Sequence, residues 1–232
     1  RTVPSRRRPS RAADIISALD LAAVEALASH PAPRGSAPST RTDSRAAIAV
    51  LPFANLSPDA DDEYFADGLT DELITDLSAI RTLRVTARGA VIRLKGSTKD
   101  HSAIAGELGV RYVVTGSVRR AGDGIRVTAA LHDATADGVV WTDKINGSLG
   151  DVFAIQEQIA GRIAGALRLT LSADEQRRLR EHPVTDLRAY ECLLQARHAA
   201  WTFATPALDR ARRLLENALA IVGDNAQLFA AL

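Results

Sequence analysis

The chain has no methionine, a single cysteine and almost no net charge, and each scarcity removes a class of protein. One thiol, Cys192, cannot build a disulfide framework or a cysteine-based zinc site within the chain, and it fits a reducing compartment. With 29 Lys and Arg against 28 Asp and Glu, the formal charge is +1. No global field therefore draws the chain to nucleic acid or to an acidic membrane, since polyanion binders carry a clear basic excess. No apolar run is long enough for a bilayer span or a signal-peptide core. Both sides of the chain's linker are thus expected on one side of any membrane, in the cytoplasm. The lack of methionine, with arginine at position 1, predicts a fragment of a longer protein.

What is present suffices for one sizeable core and a second small one: 46% hydrophobic and 25% charged residues over 232 positions. Residues 1–29 begin with Arg6, Arg7, Arg8 and Pro9. Ala12, Ala13, Ile15, Ile16 and Leu19 then space a short amphipathic helix. Residues 30–45, HPAPRGSAPSTRTDSR, are rich in Pro, Ser and Gly and predict a flexible linker.

Residues 47–80 are the most informative run. Ile48, Val50 and Leu51 form a short buried strand that Pro52, lacking a ladder donor, ends. Beyond the loop at 55–62, Phe65, Leu69, Leu73, Ile74 and Leu77 recur at helical spacing. Asp71, Glu72 and Asp76 fall on the other side and predict a solvated acidic face. Leu83, Val85 and Ala87 alternate with polar residues, which predicts a strand near 83–88. Residues 89–99 predict an irregular connection. Asp100 predicts a cap and Gly109 a stop for the next helix.

Three β runs follow at 112–120, 125–133 and 139–146, joined by AGDG and ATADG, which predicts an antiparallel meander. In the middle run Ile125, Val127, Ala129 and Leu131 alternate with Arg126, Thr128, Ala130 and His132. One face is buried and the other carries arginine and hydroxyl groups. Trp141 is expected as a packed edge aromatic. Asp151 is expected to cap a helix striped by Val152, Ile155, Ile159, Ile163 and Leu167 that covers the sheet, and residues 172–181 predict a solvated helical extension. The fold class is α/β: a mixed sheet with a three-stranded antiparallel meander and packing helices, then an all-α helical hairpin.

IAVLPFANLSPDADDEYFADGLTDELITDLSAI, LRVTAR, AIAGELGVRYVVTGSVRRAGDGIRVTAALHDATADGVVW and DVFAIQEQIAGRIAGAL together resemble the TolB amino-terminal-like domain, over residues 46–171. The stretch GAVIRLKGSTKDHSA departs from relatives, which carry an aromatic there. The resemblance implies a domain set behind a variable output module: a serine/threonine kinase, a class III nucleotide cyclase or a winged-helix DNA-binding domain. It assigns no catalytic residues, so Asp67, Gly68, Gly116, Arg119 and Trp141 are pattern residues only. After a connector at 172–185, helices at 187–201 and 206–221 joined by TFAT resemble a tetratricopeptide repeat, with Ala211, Leu215 and Ala218 as its small–large–small face. Residues 186–232 are thus expected to open a repeat array that continues. VPSRRRPSRAADIISALD resembles the last helix of a protein-kinase C-lobe, or is a generic basic linker and helix.

The residue inventory assigns no catalytic, cofactor-binding or metal residues and no cofactor. His30, His101, His132, His182 and His198 lack metal-ligand spacing, and no Gly-x-Ser-x-Gly, His-Arg-Asp or Asp-Phe-Gly occurs. Asp59, Asp61, Asp62 and Glu63 lack the spaced ligands of an EF-hand. The expected function is a non-catalytic regulatory and protein-interaction region, with a kinase as output and a cyclase or winged-helix regulator as the alternative. Its partners are expected to be proteins, met through the repeats and the α/β domain. No nucleic acid and no membrane is expected for this region. A second reading is a small-molecule sensor, with a pocket shaped by residues 88–99 and the 134–138 turn.

Overall fold

Strand β1 (Ala46–Val50) carries Ile48, Ala49 and Val50 at zero exposure, as a strand covered on both faces requires. The computed structural model describes residues 45–201 and 204–231, within the compact unit Ser44–Leu232. The helix expected near 12–28 and all but the last residue of the expected linker lie outside the described residues.

β1 lies between β3 (Leu83–Val85) and β4 (Tyr112–Ala121), parallel to both. A two-residue β2 (Ala54–Asn55), which the sequence pattern had not marked, also pairs with β4 in parallel. Helix α1 (Glu63–Ser78) makes the first crossover and buries Phe65, Leu69, Leu73 and Leu77 in one core with Ile48 and Val50. The return crossover carries α2 (Arg88–Val91) and α3 (His101–Leu108). Val91, Leu94, Ile104 and Ala105 form a second, smaller core with Ala49 and Val113. Parallel connections of one hand that leave β1 toward β3 and then step back past it must place their helices on opposite faces. The two cores are the result.

β4, β5 (Gly124–Asp133) and β6 (Gly138–Ser148) form the meander, completing the order β3-β1-β4-β5-β6 with β2 beside β4. Its first turn places Gly122 at φ +59, the left-handed region the first position of a tight hairpin turn needs. The mixed sheet with packing helices matches the expected fold class. α4 (Val152–Ala166) covers the meander through Val152, Ile155, Ile159 and Ile163. It is followed by α5 (Ala173–Arg180), α6 (Leu187–Ala200), α7 (Thr205–Val222) and α8 (Ala226–Ala231).

Asp100 caps α3 by accepting from the amides of Ser102 and Ala103, and Gly109 ends it at φ +62, both as expected. Four local expectations are corrected. Residues 88–94 are helical, as α2 and a 3-10 turn at Ile92–Leu94, because Val91 and Leu94 are buried in the second core. The third strand stops at Val85. Asp151 makes no side-chain cap to α4 and instead turns back, accepting from both N and Oγ of Ser148 at 2.8 Å. The 172–181 extension is a helix solvated on most of its surface but not on all of it: Leu179 and Glu175 are buried, with Glu175 accepting from the Arg81 amide at 2.8 Å.

Candidate interaction site

α1 is covered on its polar side as well as its apolar one. Glu63, Asp67 and Asp71 lie four residues apart and form one acidic line along the helix, with Glu72 and Asp76 beside it. Like charges at that spacing destabilise a helix unless cations meet them. Here they are met from two directions, so the face predicted as solvated is an interface.

From the 88–95 segment, Lys95 donates to Asp67 Oδ1 at 2.6 Å and pairs with Glu63, while Arg88 pairs with Asp71 and donates to the Asp67 carbonyl at 3.4 Å. Burial opposes the Lys95 charge, but hydrogen bonds to Asp67 and Glu63 outweigh it and hold the ammonium above its usual value. The Arg88 guanidinium is shifted down by burial and lies 4.6 Å from the centre of the Trp201 ring.

From α6, Arg197 donates to Glu72 at 2.6 Å, and His198 Nδ1 lies 3.0 Å from Asp67 Oδ2. Between these charges the Leu194 side chain of α6 packs onto Gly68 of α1. A Cβ at Gly68 would stand 2.6 Å from a methyl of Leu194, so any larger residue there would force that side chain to shift. At the other end of the interface Arg120 binds Tyr64 Oη at 2.8 Å and Glu191 at 2.9 Å, and buried Gln156 donates to Tyr190 Oη at 2.6 Å. The Tyr190 hydroxyl is pushed well above its ordinary range by burial, and Asp76 is raised to about 7, first by burial and then by Glu72 and Glu157. Asp76 Oδ2 is buried without a hydrogen-bond partner.

Asp67 and Gly68, marked only as pattern residues, thus become the centre of a junction. Gly116 has a packing role of its own, since a Cβ there would meet the Phe53 ring at 2.3 Å. Trp141 is half-buried against the main core, as expected, and Arg119 is exposed. The acidic residues at 59–63 serve structure: Asp59 accepts from the Asp61 amide at 2.8 Å, Asp62 lies 3.7 Å from Arg120, and Glu63 pairs with Lys95. His101 and His132 come together with ring centres 3.9 Å apart, a pair their spacing did not announce. His182 stacks on Phe153. In the stretches expected to shape a sensor pocket, Val91, Leu94 and Ala134 pack into the second core.

Beyond Asp71 and Arg197, α6, α7 and α8 enclose a groove of about 440 Å³ lined by Ala196, Ala200, Trp201, Ala211 and Leu215. Its walls are mostly apolar, with Asp71, Arg197 and Gln227 supplying polar edges. Among the described residues no three of His, Cys, Asp and Glu gather as metal ligands, and no helix is long and apolar enough to cross a membrane.

Comparison with known proteins adds a family. The model of the HilA/YgeH-like transcriptional regulator, second domain, matches residues 44–162. A protein of Rhizobium meliloti (strain 1021) named "Putative adenylate cyclase 3" is 41% identical over 184 residues, 79% of this chain. The chain spans 31% of that protein's length. Among solved structures, TolB from Acinetobacter baumannii aligns over 53% of this chain and 28% of its own, at 21% identity and TM-score 0.42. The LpoB C-terminal domain from Salmonella enterica aligns over 45% of this chain and 84% of its own, at 16% identity and TM-score 0.37.

Proposed function

We propose that this chain, which belongs to the HilA/YgeH-like transcriptional regulator second-domain family, is a non-catalytic regulatory region that holds a helical repeat array in fixed orientation on an α/β body. The α1–α6 junction carries the reading. Two ion pairs, a glycine-mediated helix contact and a shared core tie the hairpin to the body, a costly arrangement for a mere tether and a useful one for transmitting a docking event. Its groove of alanine and leucine side chains supports a protein partner, and the α6–α7 pair with its Ala211, Leu215 and Ala218 seam supports the tetratricopeptide reading.

For the output module, the name of the Rhizobium relative supports the cyclase arrangement, and the family description supports a transcriptional regulator as the second reading. The kinase expectation rests on residues 6–20, outside the described residues. Either supported output consumes nucleotides or reads DNA, which supports the cytoplasm as location.

The test has two arms. The isolated chain, given ATP or GTP with Mg²⁺ or Mn²⁺, should form no cyclic nucleotide and transfer no phosphate. In the complete protein, Arg197→Glu should change the activity of the output at least about twofold with the substrate KM unmoved. Turnover by the isolated chain, or an output indifferent to deletion of residues 44–232, would overturn the reading.

A further inference from the structure

The meander has a second face that α3 covers only at one end, at Val113 and His132, and that no described helix covers from Thr115 to Arg119. Its inner face presents Val118, Val127 and Ile145 to the core under α4. The outer face shows three rows across the strands: Arg119, Arg126 and Asn146; then Ser117, Thr128 and Lys144; then Thr115, Ala130 and Thr142. In the first row two arginines stand directly opposite each other on neighbouring strands, an arrangement that destabilises a sheet by charge repulsion.

Elsewhere the chain neutralises such charge, as where Arg111 meets Asp133 at 2.6 Å and Arg120 meets Glu191 at 2.9 Å. Arg119 and Arg126 have no carboxylate within 4.0 Å among the described residues. The hydrogen bond found for this pair runs from Arg126 Nε to Asn146 Oδ1, at 2.8 Å. That bond orients one guanidinium and leaves the charge of both uncompensated. The pair borders a concavity of about 480 Å³ whose walls include Arg119, Arg126, Asn146 and Gly124.

We propose that this row binds the phosphoryl group of a phosphorylated side chain on a partner protein. Two guanidinium forks bring ten N–H donors, nine of them outside the bond to Asn146, and a phosphate monoester supplies close to two negative charges and three terminal oxygens, whereas a single carboxylate would neutralise only one arginine. Lys144, Ser117 and Thr128 in the next row extend the donors along a bound segment. The other polyanions fit less well. A nucleotide needs a surface for its base, and the nearby rings are engaged elsewhere: Trp141 packs against the core and His132 stacks on His101. A nucleic-acid backbone would pass from these three cations onto the turn carboxylates Asp123 and Asp137 at the two ends of the meander, in a chain whose formal charge is only +1.

The experiment titrates the full isotope-labelled chain, followed by its amide resonances, with a short glycine peptide bearing one phosphoserine, with its serine counterpart, with ATP and with a DNA duplex. The phosphopeptide should give saturable shifts at residues 119, 126 and 146, and the serine peptide none. Arg119→Ala and Arg126→Ala should each weaken binding about tenfold or more, the scale of losing charge-assisted hydrogen bonds. Both residues are exposed, so melting curves of the variants should stay cooperative. In phosphate-free buffer, Arg126→Ala should melt no lower than the parent, because it relieves a repulsion. Absence of saturable shifts, or shifts unchanged when both arginines are replaced, overturns the proposal. So does ATP or DNA binding as tightly as the phosphopeptide through the same amides.

Discussion

Asp76 keeps its proton to a much higher pH than most aspartates do. Its carboxyl is raised from 3.8 to about 7 by burial, then by Glu72 and Glu157. The unfolded chain gives up that proton near pH 4 while the folded chain keeps it. Stability therefore falls as pH rises from about 4 to about 7, by roughly 4 kcal/mol at most if the whole shift is expressed. Asp76→Asn should remove the slope and raise the urea midpoint at pH 8. A variant whose midpoint changes with pH as the parent's does would count against the assignment. His132 works in the opposite sense. Burial, then His101, lowers its pKa, so the neutral ring is favoured in the fold. Stability is full above the ordinary histidine range and declines as pH falls through 6.5 and below. His101→Ala should soften that acid limb, as read from melting temperature against pH. Leu73, at zero exposure between α1 and the sheet, gives the bluntest test. Leu73→Asp buries an unpaired charge at a cost on the order of 4 kcal/mol or more, enough to abolish the cooperative melt.

Between elements, the Arg197–Glu72 pair lies partly exposed, with side chains 29% and 15% accessible. Screening limits its coupling to about 1–2 kcal/mol, to be read from a double-mutant cycle of Arg197→Ala and Glu72→Ala in urea unfolding. A coupling near zero would make the junction a matter of packing alone. This pair also shows what the sequence could and could not convey. The meander was legible because its determinants are local: alternation at 125–133, and a glycine turn between strands. The cap at Asp100 and stop at Gly109 were legible for the same reason. Asp71, Glu72 and Asp76 were misread as solvated because their cover comes from Arg88 and from α6, more than a hundred residues later in the case of Arg197. One signal was available: Glu63, Asp67 and Asp71 repeat at four-residue intervals along one helix, and such a line asks for cations. Residues 88–94 were misread because four- and three-residue helical turns are too short to show a period.

At the scale of the molecule, the hairpin and the α/β body share one core, in which Leu193, Leu194 and Ala196 of α6 join Leu69 and Leu73 of α1. Leu179 and Val184, in the segment read as a connector, are buried in it as well. A chain cut after residue 171 should expose this surface, bind a hydrophobic dye and unfold at lower urea than the parent; a truncated chain as stable as the parent would place the hairpin outside the core. The central claim is that the α/β body and the helical hairpin move as one, so that a contact made on the hairpin is felt in the sheet. Native-state hydrogen exchange tests it most directly. The amides of α6 around Leu193 and Leu194 should open with a free energy within about 1 kcal/mol of those of β1 and α1, through the same global unfolding. Exchange of α6 and α7 through an opening of their own, while β1 and α1 stay protected, would contradict it.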